Sequence, residues 1–313
     1  GQLVLESTAV SSTAAELNLL DGLDRGSILY GNASSATTVL GQGTADQVLT
    51  SDGTDISWED ASGGGITGLT GLVENNSIWL GIDPTSTTDT AEYNVALGTG
   101  ALDAITTGDK NVAIGYNAMT TFTEGRENTV IGYLAGDAMT TGQLNTLVGS
   151  NAGGSITEGL YNVCLGGGTG ETMTTPHYNT FVGYGAGSAA TNQYCVALGF
   201  SAMNGSTGGS ACVAIGSRAG YSSAAGGDHN CLVGYQTGYY ISTGDDNTML
   251  GNLNGIASGP GTSLTTGKRN VLVGAWLDCS AADVDDEVVI GSGGYAAGYA
   301  VGLVGKGTDT AFI

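Results

Sequence analysis

A nine-residue pattern returns along this chain at a nearly constant interval. NTVIGYLAG begins at residue 128, NTLVGSNAG at 145 and NTFVGYGAG at 179. In each copy a glycine closes a short apolar run, and thirteen such anchor glycines follow one another at intervals of 16 to 18 residues, with one interval of 23. They are Gly81, Gly98, Gly115, Gly132, Gly149, Gly166, Gly183, Gly199, Gly216, Gly234, Gly251, Gly274 and Gly291. Units that contact only their neighbours build solenoids, so the repeat predicts a solenoid.

The length of the unit indicates which kind of solenoid forms. Seventeen residues are too few for a strand followed by a helix, and no segment shows the 3.6-residue periodicity of an amphipathic helix. Two short strands and two turns per coil fit this length, so the predicted fold is an all-β solenoid, or β-roll, with coils about 4.8 Å apart. A second set of glycines recurs at one turn, where the pattern predicts positive φ. This set is Gly108, Gly125, Gly142, Gly159, Gly244 and Gly267.

The predicted strand of each coil is apolar on both faces. The residue before each anchor glycine is Leu, Ile or Val, and the residue two positions earlier is usually Val or Thr. The residue between them must face the other way, and it is also apolar, as in Trp79, Leu147 and Phe181. A strand buried on both faces needs a partner besides its own core. We therefore predict a homotrimeric rod whose chains are intertwined or packed along a common axis.

An asparagine stands four residues before most anchor glycines. The favoured interpretation is a ladder of stacked amides that satisfies backbone groups at the turns, and a ligand-binding row is the alternative. The predicted ladder consists of Asn94, Asn111, Asn128, Asn145, Asn162, Asn179, Asn230, Asn247 and Asn270. Cys195 and Cys212 take this position in two consecutive coils, either as small buried side chains or as a disulfide or metal-binding pair.

Composition limits the partners that such a protein can have. The formal net charge is −22, with only 7 Lys and Arg among 313 residues, so the chain repels nucleic acid and anionic membranes. No run of eighteen apolar residues is present, and the sequence predicts no membrane insertion. Two His, and five Cys without a CxxC pair, offer no metal-site spacing, so neither a metal nor another cofactor is predicted.

Three regions differ in their sequence pattern. Residues 1–62 form a predicted attachment and trimerisation region, in which Thr13 and Glu16 make a capping box that predicts a short helix. Residues 63–291 form the predicted solenoid shaft, and residues 292–313 form a cap or the start of a continuation. The long interval between anchors places an inserted loop at residues 256–266, and insertions in solenoids become surface loops.

Both the N-terminal region and the repeat resemble known families. AAELNLLDG (residues 14–22) and GSILYGNASSATTVLGQGTADQVLTSDGTDISWED (residues 26–60) resemble N-terminal segments of tail fibres from marine phages, including cyanophages. The repeat is also similar to that in the head domains of trimeric autotransporter adhesins, which form left-handed parallel β-rolls. The resemblance to tail fibres implies an extracellular, homotrimeric virion protein that attaches the virus to its host. It further implies that other tail proteins bind the N-terminal region and that the receptor is a surface glycan or protein.

Aromatic side chains follow several anchor glycines directly. Tyr116, Tyr133, Tyr184, Phe200 and Tyr235 therefore predict a partial aromatic column. Rings that stack on one another to cover the turn are the favoured interpretation, and rings that bind sugars are the alternative. The candidate receptor-contact residues are Tyr116, Tyr133, Tyr184 and Tyr235, together with Gly259 and Pro260 in the inserted loop.

Acidic residues are the remaining candidates for chemistry. A cluster near the end of the repeat could hold Ca²⁺ through oxygen ligands, but it lacks the EF-hand spacing and a solvated loop is favoured. This cluster is Asp278, Asp283, Asp285, Asp286 and Glu287. The same carboxylates, or Asp245 and Asp246, could form a glycosidase pair, although a regular short repeat leaves no evident cleft. We therefore predict a structural fibre and not an enzyme, with a bacterial surface adhesin as the first alternative and a polysaccharide depolymerase as the second.

Overall fold

The chain divides into two compact units, Gly1–Gly68 and Leu69–Ile313. The structure, a computed structural model, describes residues 90–189, 193–205, 208–221, 227–255 and 264–292, together with shorter segments before and after them. The shorter segments are residues 4–5, 8–9, 27–31, 37–44, 47–51, 56–60, 71–74, 76–81, 294–296, 299–301 and 311–312. The region boundaries proposed at residues 62 and 291 stay predictions.

The first unit contains antiparallel strand pairs, in which β1 pairs with β2, β3 with β4 and β5 with β6. The strands are β1 Val4–Leu5, β2 Thr8–Ala9, β3 Ile28–Gly31, β4 Thr37–Leu40, β5 Gln47–Ser51 and β6 Ile56–Asp60. The short helix predicted around Thr13 and Glu16 lies outside the described residues. No helix occurs in the part of the chain that the structure describes, and therefore none there could span a membrane.

The second unit is built around one 15-stranded sheet, in which β7 to β20 follow one another in chain order and β23 pairs with β20. Strand β7 is antiparallel to β8, and the other pairs are parallel. The strands are β7 Gly71–Glu74, β8 Ser77–Gly81, β9 Val95–Gly98, β10 Val112–Ile114, β11 Thr129–Ile131, β12 Thr146–Val148, β13 Val163–Leu165, β14 Thr180–Val182, β15 Val196–Leu198, β16 Val213–Ile215, β17 Cys231–Val233, β18 Thr248–Leu250, β19 Val271–Ala275, β20 Val288–Ser292, β21 Gly294–Ala296, β22 Tyr299–Val301 and β23 Ala311–Phe312. Strands β21 and β22 form a separate antiparallel pair.

Consecutive coils stack in register. Ala113 pairs with Val130, and Val130 pairs with Leu147, so each residue meets the residue one repeat further along the chain. The anchor glycines, which the sequence shows at a nearly constant spacing, therefore lie above one another. The prediction of an all-β solenoid is confirmed, because the chain forms a parallel β-solenoid of about 11 turns.

Within the described residues each coil contains one strand, whereas the sequence predicted two. The other side of the coil consists of turns, which backbone hydrogen bonds and isolated bridges hold to the next coil, as between Gln143 and Leu160. Residues with positive φ, such as Asn117 and Met119, recur on that side. Extended backbone cannot continue through such residues, so a second strand does not form there.

The two sets of glycines are required for different reasons. The anchor Gly183 has a φ of 127°, and a Cβ added to it would lie 2.6 Å from the carbonyl oxygen of Gly199 in the next coil. The turn glycine Gly108 and its equivalents do not have positive φ, so that prediction was wrong. A Cβ on Gly108 would instead lie 2.7 Å from the carbonyl oxygen of Gly125. Close stacking of the coils therefore excludes a side chain at this turn.

The central residue of each strand points into the coil and forms its core. Trp79, Val130 and Phe181 are all buried, together with apolar side chains from the turns such as Phe122. The two flanking residues of each strand face outward, and Leu97 keeps 45% of its surface exposed. The solenoid thus buries one apolar face of the sheet in its own core and leaves the other apolar face uncovered in the single chain.

Candidate functional site

The outer face of the sheet carries four parallel columns of side chains. In one coil they are Glu127, Thr129, Ile131 and Tyr133, which alternate with inward-facing residues along the chain. Thr129 and Ile131 belong to the two apolar columns of the strands. We call the column of residues that follow the anchor glycines the post-anchor column. The column of residues that precede the ladder positions is the pre-ladder column.

The post-anchor column contains the aromatic residues that the sequence singled out. Tyr116 and Tyr133 stack with ring centroids 5.5 Å apart and planes 14° from parallel. Tyr184 and Phe200 form a second stack at 5.9 Å and 10°. Tyr235 is also exposed in this column. The structure therefore brings four of these five rings together in two pairs.

Stacking decides which parts of these rings a ligand can reach. Within each pair, one face of each ring is covered by the neighbouring ring. Above Phe200 the guanidinium of Arg218 lies 5.8 Å from the ring centroid, which covers the second face of Phe200 as well. Ring edges, hydroxyl groups and the faces at the free ends of the stacks remain available for contact.

The pre-ladder column holds a second aromatic stack that the sequence reasoning missed. Tyr161, Tyr178 and Tyr194 lie in three consecutive coils, with neighbouring centroids 5.0 Å apart and planes within 7° of parallel. All three have positive φ, as does every other described member of this column. The signal was present in the sequence, because a tyrosine precedes the ladder position at Asn162, Asn179 and Cys195. Gly259 and Pro260, the other candidate contact residues, lie outside the described residues.

The asparagines form two hydrogen-bonded ladders inside the solenoid, from Asn94 to Asn179 and from Asn230 to Asn270. Oδ1 of Asn128 accepts hydrogen bonds from the backbone N–H and the Nδ2 group of Asn145, both at 3.0 Å. Nδ2 of Asn145 also donates to the carbonyl oxygen of Gly159 at 2.7 Å. Each amide thus satisfies backbone groups of its own coil and of the next one, which explains why one residue type recurs at a buried position.

Cys195 and Cys212 continue the ladder with thiols in place of amides. Both are free thiols. The Sγ of Cys195 donates to the carbonyl oxygen of Gly209 at 3.4 Å and accepts from the N–H of Cys212 at 3.4 Å. The Sγ of Cys212 donates to Gly227 at 3.2 Å. The hydrogen bond from Cys195, together with burial, raises the pKa of Cys212, so this thiol stays protonated at neutral pH.

Most of the acidic candidates pair with cations at the surface of the last coils. Nζ of Lys268 lies 2.6 Å from Oδ2 of Asp245, and Nε of Arg269 lies 2.6 Å from Oδ1 of Asp286. These partners lower the pKa of both carboxyl groups. Among the described residues, no three His, Cys, Asp or Glu side chains converge in a way that could hold a metal ion.

Asp278 and Glu287 are the exception, because both are buried. Glu287 occupies the ladder position: its N–H donates to Oδ1 of Asn270 at 3.0 Å, and its Oε2 accepts from the N–H of Ser280 at 2.8 Å. Oδ1 of Asp278 accepts from the N–H of Cys279, whereas its Oδ2 is buried without a hydrogen-bond partner. Burial raises the pKa of Asp278 to about 7, and the nearby charge of Glu287 adds to the rise.

This raised pKa predicts that the solenoid loses stability as the pH rises. Asp278 binds a proton in the folded protein up to about pH 7, whereas in the unfolded chain it releases that proton near its usual value of 3.8. The free energy of unfolding should therefore fall between about pH 4 and pH 7, by roughly 4 kcal/mol from this group. Denaturant titrations at pH 4.5, 6 and 8 measure the fall, and Asp278→Asn should show a smaller one. Parallel pH profiles for the two proteins would contradict the prediction.

Comparisons of the chain with protein-family models, curated protein sequences and solved structures gave no match.

Proposed function

We propose that this chain is the shaft of a homotrimeric phage tail fibre that holds the virus against the host cell surface. The sequence of residues 14–22, which resembles tail-fibre N-terminal segments, supports a virion protein. The stacked coils supply a stiff, extended scaffold, because each coil is fixed to the next by backbone and amide hydrogen bonds. A bacterial trimeric adhesin is the alternative, since the repeat is similar in both, and the N-terminal segment favours the fibre.

The observation that carries the proposal is the uncovered apolar face of the sheet. Its two columns consist of Val, Thr, Ile and Leu side chains, together with Cys231, and remain half-exposed along successive coils, as at Leu97, Ile215 and Leu250. A continuous apolar surface of this kind marks an interaction site. Identical chains offer identical spacing between coils, so three copies around an axis would match this surface coil by coil.

The trimer is tested by its mass in solution. Light scattering at micromolar concentration should give about 93 kDa, three times the 31.1 kDa of one chain. Ile131→Asp places a carboxylate in the two apolar columns, the part of the outer face that a trimer would bury, and should yield a folded single chain. Thr99→Asp, in the exposed post-anchor column, is the matched control and should remain trimeric. A mass of 31 kDa for the unmodified protein would exclude the trimer.

Attachment is tested with fluorescently labelled protein on bacterial cells. Deletion of residues 256–261, or Tyr116→Ala with Tyr133→Ala, should weaken binding severalfold while the melting temperature changes by only a few degrees. Weak contacts that are repeated on three chains add up through effective concentration, so the loss should be larger for the trimer than for the Ile131→Asp monomer. Binding that survives both changes would make this segment a spacer, with recognition elsewhere in the fibre.

A further inference from the structure

The post-anchor column contains a gap between its two aromatic stacks. Tyr133 ends the lower stack and Tyr184 begins the upper one, and the two coils between them carry Ser150 and Gly167 at the equivalent position. Three coil spacings separate the tyrosines, which amounts to about 14 Å. The upper face of Tyr133 and the lower face of Tyr184 therefore point towards each other across a notch that is two coils high.

The rings on either side of this notch are both exposed. Tyr184 keeps 68% of its surface exposed, more than any other large apolar or aromatic side chain described, and Tyr133 keeps 54%. Each of these two rings is covered on one face only. Tyr116 covers Tyr133 from below, and Phe200 covers Tyr184 from above. The Phe200 and Arg218 stack holds Tyr184 from above, so its free face is turned to the notch.

The floor of the notch is flat and rigid. The N–H of Gly168 donates to the carbonyl oxygen of Ser150 at 2.9 Å, and the N–H of Gly185 donates to that of Gly167 at 2.9 Å. The ring of Tyr184 borders the space above Gly167, since a Cβ added there would lie at an ordinary contact distance, 3.5 Å, from its Cδ2 atom. The exposed Ser150 adds one hydroxyl to the floor. A site that is formed before its ligand arrives loses little entropy on binding.

We propose that this notch binds neutral pyranose rings, one against the free face of each tyrosine. The faces of aromatic rings carry the negative part of a quadrupole, which attracts the electropositive C–H groups on the flat side of a sugar ring. The gap of about 14 Å between the two tyrosines has room for two sugar rings, each stacked at about the distance that separates neighbouring coils. The net charge of −22 disfavours anionic sugars, so the ligand is a neutral glycan. The inference rests on the proposed attachment function and assigns that function a ligand class and a place.

The proposal is tested by filling the notch with two tyrosines. The double variant Ser150→Tyr/Gly167→Tyr should complete an unbroken column of rings from Tyr116 to Phe200. The backbone permits it, because neither Ser150 nor Gly167 has positive φ. The matched control is Thr99→Tyr/Leu144→Tyr, which also adds two rings and covers the free lower faces of Tyr116 and Tyr161 but leaves the notch open. Leu144 shares the positive φ of Tyr161, so a tyrosine fits there as well.

Binding is measured on the full chain by saturation-transfer NMR with methyl β-D-glucopyranoside. We expect saturable, roughly millimolar binding to the unmodified protein, a loss of at least tenfold in the filled variant, and less than a twofold change in the control. The corresponding glucuronide should bind more weakly at low salt. Tyr184→Leu, which removes one wall, should lose about half of the transferred signal even if the filled variant does not fold.

Three outcomes would overturn the notch site. The first is no saturable binding to the unmodified protein, and the second is an affinity of the filled variant equal to that of the unmodified protein. The third is a loss of affinity in the control as large as in the filled variant, because the sugar would then bind free ring faces in general. The attachment proposal is judged separately by binding to cells. If filling the notch does not affect binding to cells, the notch is not the receptor site but the attachment proposal stands. If the protein binds the sugar but not cells, the notch is a sugar site and the attachment proposal fails.

Discussion

Replacing Val130 by aspartate should unfold the solenoid at room temperature or lower its melting temperature by about 10 °C or more. Val130 is the central residue of β11, is fully buried, and pairs with Ala113 below and Leu147 above. An aspartate there would place an unpaired charge between two apolar layers, at a cost of about 4 kcal/mol or more. Circular dichroism and thermal melting measure the loss.

The neighbouring residue supplies the control for this change. Ile131→Asp introduces the same carboxylate one position later, where the side chain faces outward. It should keep the β-sheet spectrum at room temperature while it lowers the mass of the assembly. If Val130→Asp melted like the unmodified protein, the inward orientation of the central strand residue would be wrong.

Replacing Asn145 by leucine should also destabilise the solenoid strongly, because it removes a buried amide that serves two coils. The N–H of Asn162 would lose its acceptor, Oδ1 of Asn145 at 3.0 Å, whereas the carbonyl oxygen of Gly159 would lose its donor at 2.7 Å but keep the N–H of Gln143 at 3.2 Å. A buried N–H left without a partner costs about 1–3 kcal/mol and the other lost hydrogen bond about 1 kcal/mol, so the free energy of unfolding should fall by roughly 2–4 kcal/mol. Denaturant titration measures it.

A cysteine at the same position is the informative control. Cys195 and Cys212 show that a thiol can donate to the turn carbonyl and accept the N–H of the next coil. Asn145→Cys should therefore lower the free energy of unfolding by less than half as much as Asn145→Leu does, although neither side chain carries an amide. If the cysteine variant were as unstable as the leucine variant, the hydrogen bonds of the ladder would not be the source of its stability.

The repeat predicted the solenoid because stacked coils bring equivalent residues back at a nearly constant interval. It did not indicate which face of the strand is inside, since adjacent residues such as Val130 and Ile131 are both apolar. The structure resolves this point, because the inward column is buried although its side chains range in size from Ala96 and Ala113 to Trp79 and Phe181. The outward column is uniformly β-branched or leucine.

Local backbone conformation was the least predictable feature of the coil. Glycine was expected to mark positive φ at the turn before the ladder, yet Lys110, Glu127 and Tyr161 adopt it there. The nearby glycines are needed because the next coil approaches too closely for a side chain. The Tyr161 stack was also missed, although its signal, a tyrosine before three consecutive ladder positions, is visible in the sequence.

The register between coils has a consequence for how such a protein changes over generations. Intervals of 16, 18 and 23 residues still bring Val196, Cys231 and Val271 into line with their neighbours, because the missing or extra residues are taken up outside the strands. Unequal recombination between two copies of the repeat would add or remove a whole coil and leave every column aligned. The reach of the protein can therefore grow or shrink by one coil, about 4.8 Å, in a single genetic event. Natural selection can therefore adjust the length of the solenoid without changing the surface of the individual coils.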